Sequence, residues 1–136
     1  MQHIITERLK DYFEHREEVA FAYLFGSQAK GLASPLSDID VAVYFYPKHF
    51  KPVEFEEPIY YEKEDTIWEE IERLLNKEIE LLCLNRAPAT VAASAIRGIP
   101  LTIKDWGLYL DFMEIVTSVA VDFRDLLIED FLSRVR

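Results

Sequence analysis

A single cysteine, Cys83, occurs in the chain, which excludes an intramolecular disulfide and any cysteine-based metal cluster. Basic residues are also scarce, 15 Lys and Arg against 25 Asp and Glu, for a formal net charge of −10. A surface of that sign repels a phosphodiester backbone, so direct DNA or RNA binding is not expected. It favours a basic protein partner instead. No apolar run reaches the length of a membrane span. The amino terminus is charged within eight residues and lacks a signal-peptide core, so a cytoplasmic location is the expectation. His3, His15 and His49 show no metal-ligand spacing. Repeats, low-complexity tracts and Gly/Ser linkers are missing too, which predicts one domain over residues 1–136.

What is present is an apolar half, 50% of the residues, in a chain long enough to bury most of it. Ile4, Ile5, Leu9, Tyr12 and Phe13 recur at helical spacing and predict an amphipathic helix over 3–17. Val19 to Phe25 is an apolar run of strand length, broken by Gly26. Ser27 to Gly31 reads as a turn entering a short helix, and Ser34-Pro35 as a loop before a strand from Ile39 to Phe45. Residues 46–62, with Pro47, Pro52 and Pro58, read as either an extended connection or a flap. Glu64 to Asn76 returns to helix, with Ile67, Trp68, Ile71, Leu74 and Leu75 on one face and Asp65 or Thr66 as cap. Glu78 to Leu84 reads as a third strand. Pro88 suits the first position of a further helix, which Gly98 ends. Pro100 to Ile103 fits a short edge strand. This order predicts an α/β (α+β) fold with a small mixed sheet flanked by helices.

Residues 105–135 form a long helical region whose apolar positions, Trp106, Leu110, Phe112, Val116, Val119 and Phe123 among them, surround most of the helix. Such a helix is either a subunit interface, homo- or hetero-oligomeric, or a central helix wrapped by its own domain.

The chemistry concentrates in Gly26-Ser27 and, ten residues on, Asp38-Ile39-Asp40. Alternating side chains put Asp38 and Asp40 on one strand face, roughly 7 Å apart. Two ionised carboxylates that close repel, and a hard divalent cation relieves the repulsion. Mg²⁺ commonly takes one or two carboxylates and leaves its other positions to water and phosphate. Gly26 lets backbone approach an anion closely, and the Ser27 hydroxyl can donate to a phosphate oxygen. The pattern points to a metal–nucleotide site.

The string Gly-Ser-x10-Asp-x-Asp resembles the signature of the DNA polymerase β-like nucleotidyltransferases. With Ala29-Lys30-Gly31 and Ser37 it is similar to their minimal nucleotidyltransferase branch, the MNT or MntA-type antitoxins. That resemblance implies a nucleotidyltransferase fold and a third carboxylate from a neighbouring strand. Counting back from Asn85 in Glu78-Ile79-Glu80-Leu81-Leu82-Cys83-Leu84-Asn85 puts Glu80 there, where most relatives carry Asp; Glu78 lies on the same face. Lys30 stands where relatives often have Arg, and reads equally as a phosphate contact or an exposed helix lysine. Arg86 reads as a phosphate contact or a solvated residue.

The chemistry so implied is Mg²⁺-dependent nucleotidyl transfer, with Asp38, Asp40 and Glu80 as catalytic residues and ligands of two Mg²⁺ ions. Gly26, Ser27 and Lys30 would hold ATP. The implied acceptor is a tyrosine of a HEPN-domain ribonuclease toxin, the chain acting as antitoxin by transferring AMP. Glu80 and Lys30 also keep open a degenerate module that neutralises its partner by contact alone.

Overall fold

Ile5, Leu9 and Phe13 recur every fourth residue, and that stripe winds Gln2–Glu14 into α1 with all three side chains buried. The computed structural model describes residues 2–26, 39–47 and 60–134. Ser27, Lys30, Gly31, Ser34, Pro35, Ser37, Asp38, His49 and most of 46–62 lie outside them. Helix α1 ends three residues before its predicted limit. The N–H groups of His15 and Arg16 bond three residues back, to Tyr12 and Phe13, and this tight turn aims the chain into the sheet.

The two apolar runs form β1 (Val19–Phe25) and β2 (Ile39–Phe45) at the expected limits. Helix α2 spans Glu64–Leu75 and closes on Asn76 in the left-handed conformation. Neither Asp65 nor Thr66 caps it. The cap position is Lys63, without a side-chain bond. The Glu64 carboxylate instead accepts from the Tyr61 N–H at 2.9 Å. Strand β3 (Ile79–Cys83) is followed by α3 (Ala89–Ala95), which Pro88 precedes rather than opens, its ψ of 144° being extended. Strand β4 (Ile99–Ile103) comes next, and α4 runs unbroken from Trp106 to Arg134.

Among the described residues, four strands lie in the order β3-β2-β1-β4, which makes β4 an edge strand as expected. β1 pairs antiparallel with β2 and with β4, while β2 and β3 are parallel. A parallel pair needs a crossover, and α2 supplies it. One sheet face, with Leu24, Val41, Val43 and Ile79, packs on α1 and α2. The opposite face, with Phe21, Tyr23, Ala42, Tyr44 and Leu84, packs on α3 and α4. Helices on both faces of a mixed sheet give the predicted α/β class.

Gly98 does more than end a helix. A Cβ there would stand 2.1 Å from the Leu24 carbonyl oxygen, so only glycine lets α3 turn into β4 against β1. Helix α4 buries Phe112 and Val116 on Phe21 and Tyr44, with the rings of Phe21 and Phe112 5.4 Å apart. Its Trp106 and Leu110 are each 59% exposed, so the helix is not wrapped by its own domain at that end. Among the described residues, no helix is long and apolar enough to cross a membrane.

Candidate functional site

Residues that pair directly across adjacent strands share a face. Phe25, Asp40 and Glu80 are such a set, Phe25 opposite Asp40 and Asp40 opposite Glu80. They form the outermost row of the α3/α4 face. Behind it come Tyr23, Ala42 and Leu82, then Phe21, Tyr44 and Leu84. The inner rows are apolar and covered by helices. The outer row keeps Glu80 exposed and Asp40 half-buried. Two carboxylates on neighbouring strands are about 5 Å apart at their backbones.

Gly26 closes the row. It follows β1, turns with φ +73°, and brings its backbone against Asp40: a Cβ built there would lie 2.3 Å from Asp40 Oδ2. Only a residue without a side chain fits that corner. Asp40 therefore has backbone on one side and Glu80 on the other. This donor set, hard oxygens beside an open backbone corner, suits a divalent cation with phosphate.

Among the described residues, no group of three or more His, Cys, Asp or Glu stands close enough to hold a metal. Asp38, Ser27 and Lys30 lie outside the described residues. Of the six expected site residues the structure thus brings three together, Gly26, Asp40 and Glu80. Glu78 is exposed one step beyond Glu80 on the same face.

Beneath the row, the Tyr23 hydroxyl meets that of Tyr109 at 2.5 Å. Burial, then this bond, pushes the Tyr23 phenol far above its usual range. It stays protonated at neutral pH and forms a rigid floor with the Phe21 and Tyr44 rings, stacked 4.4 Å apart.

Arg86 lies at the far end of β3, and its fork grips Glu64: Nη1 donates to Oε2 at 2.7 Å and Nη2 to Oε1 at 2.6 Å. Three residues of strand, roughly 10 Å of rise, and the turn after Cys83 separate it from Glu80. The structure thus gives Arg86 an ion-pair role that neither sequence reading anticipated. Phe25 was also missed, although its place as the last residue before Gly26 marks it as the neighbour of whatever the turn approaches.

A family model described as polymerase beta, nucleotidyltransferase, matches residues 7–106. Among solved structures, a toxin–antitoxin crystal structure with AMP-PNP superposes with a TM-score of 0.64 at 19% identity, covering 96% of this chain and 98% of that one. A double mutant of an MntA toxin–antitoxin pair gives 0.65 at 18%, over 97% and 98%. The tri-AMPylated Shewanella oneidensis HEPN toxin in complex with MNT antitoxin gives 0.58 at 15%, over 97% and 99%. At these identities the likeness is one of fold. Among curated proteins nothing matches. The family model takes in β1 through β4 with Gly26, Asp40 and Glu80, and the chain belongs to the polymerase β nucleotidyltransferase family.

Proposed function

We propose that this chain is an MNT-type antitoxin that transfers AMP from ATP to a tyrosine hydroxyl of a HEPN-domain toxin in the cytoplasm. The observation that carries the reading is the Gly26–Asp40–Glu80 row: a side-chain-free corner pressed on one carboxylate, with a second in register beside it. The fold shared with toxin–antitoxin structures, one described with AMP-PNP and one with a tri-AMPylated toxin, supports the choice of donor and acceptor. The exposed Trp106 and Leu110 of α4 offer an apolar surface for a partner.

Asp38, Asp40 and Glu80 would hold Mg²⁺. When bound, two such ions stabilise the attacking and leaving oxygens and lower the pKa of the attacking hydroxyl. The chain's own residues bind and orient. The Gly26 corner and the Ser27 hydroxyl hold the β- and γ-phosphates, and Lys30 adds positive charge. The tyrosine oxygen then attacks the α-phosphorus in line as the bond to the bridging oxygen breaks, and pyrophosphate leaves. Glu80, exposed at the end of the row, would accept the proton of the attacking hydroxyl. No protein nucleophile takes part.

The test is incubation with Mg²⁺, the HEPN partner and ATP labelled at the α-phosphate. Label should appear on a toxin tyrosine and vanish with Asp38→Asn/Asp40→Asn, whose melting temperature should stay near native. Undiminished labelling by that double variant would rule out the ligands. Suppressed toxicity with no label from the native chain would instead point to neutralisation by contact.

A further inference from the structure

Asn85 is a polar side chain with no exposed surface, and it follows β3 at the end opposite Glu80. Its Oδ1 accepts from the Phe45 N–H at 2.8 Å and its Nδ2 donates to the Phe45 carbonyl at 2.8 Å. One amide thus occupies both backbone groups at the exit of β2. Nδ2 also donates to the Tyr61 hydroxyl at 3.2 Å.

Each β2–β3 pair, from Ile39 with Ile79 to Val43 with Cys83, joins residues forty apart in sequence, and Asn85 on Phe45 continues the same offset through its side chain. The continuation matters because, among the described residues, β3 is an edge strand held by a single ladder. Alternation of side chains decides which face a residue occupies but is blind to a slip of two. Glu78 and Glu80 are two apart, so such a slip exchanges the glutamate that stands beside Asp40. An amide bonded to both backbone groups of one residue fits one register alone. Moved by two residues, roughly 7 Å, it reaches neither, and of its partners only the weak Cys83 thiol, on the same segment, would move with it. The same slip carries Glu80 beside the buried Ala42, so two features oppose it together.

We propose that Asn85 is a positioning residue for the site: by clamping Phe45 it sets the β2–β3 register that brings Glu80 beside Asp40. The catalytic half of this inference rests on the nucleotidyl-transfer reading above; the register half does not.

Two variants of the full chain test it. Asn85→Ser removes both contacts to Phe45. Asn85→Asp keeps acceptance from the Phe45 N–H and loses donation to its carbonyl, and serves if the serine variant fails to fold. Overhauser contacts between residues 40 and 80 should weaken while those between 25 and 40 persist. The kcat of AMP transfer should fall about tenfold or more with KM for ATP within about twofold, as expected for misplaced groups. In a Glu80→Gln background the Asn85 change should lower kcat no further, because both act through one carboxylate. An intact 40–80 contact in the folded variants, or losses that add to that of Glu80→Gln, overturns the proposal. Full transfer by Glu80→Gln alone would sink the role of Glu80 in catalysis, and the Overhauser contacts would still decide the register.

Discussion

Replacing Gly26 with alanine puts a methyl group where the turn has no room for one. The new Cβ would stand 2.3 Å from Asp40 Oδ2 and 3.2 Å from its Cγ, whereas ordinary contact begins at 3.4 Å. The carboxylate must retreat by about 1 Å, and a displacement of that size at a reacting centre costs about 10²-fold in rate. The backbone is affected too, since φ +73° is left-handed and costs an L-residue about 1–2 kcal/mol. Gly26→Ala should therefore remain folded, with its melting temperature lowered by roughly 3–8 °C, while AMP transfer at saturating ATP falls about 100-fold. Gly26→Asn separates the two causes, because asparagine tolerates positive φ but carries the same Cβ. It should recover much of the stability and none of the transfer. Transfer within about twofold of native by folded Gly26→Ala would refute the reasoning, because the Asp40 position would then not matter to the reaction.

Three further outcomes follow from the same geometry. Gly98→Ala should destabilise by about 1–3 kcal/mol in urea unfolding, because the obstacle at 2.1 Å is the Leu24 carbonyl rather than a movable side chain; a change below about 0.5 kcal/mol would contradict the close approach. Glu64→Ala leaves the Arg86 fork and the Tyr61 N–H without this partner; for a half-buried pair, between the exposed and buried limits, a loss of about 2 kcal/mol is expected, and Arg86→Met should lose at least as much because it leaves the buried Glu64 carboxylate without its cation. Burial pushes the Cys83 thiol up to about 11. The folded chain should thus resist iodoacetamide at pH 8 and react fully once unfolded in guanidinium. Because the folded pKa is the higher one, the thiol's contribution to stability is complete below pH 9 and declines between about pH 9 and 11. Rapid alkylation of the native chain would show that Cys83 is not enclosed.

The sequence by itself determined most of the elements and pointed to the chemistry now proposed. Val19–Phe25 and Ile39–Phe45 were legible to the residue because a bounded apolar run has little choice but a buried strand. Gly26 and Asp40 were legible as candidates because turn glycine and alternating acids carry their geometry locally, and Glu80 through the family resemblance. Boundaries and caps were less legible. Helix α1 stops early and Pro88 stays outside α3 because the turns that end or precede them answer to packing against the sheet. Only the tertiary structure decided who stands beside whom. Arg86 is drawn to Glu64 and away from the site, Asn85 is sealed against Phe45, and Gly26 is pressed on Asp40. The physical reason is that alternation specifies a face, whereas register and long-range pairing depend on backbone groups and charges that every strand of similar pattern offers alike. The fold selects among them by burying one arrangement with its polar groups satisfied.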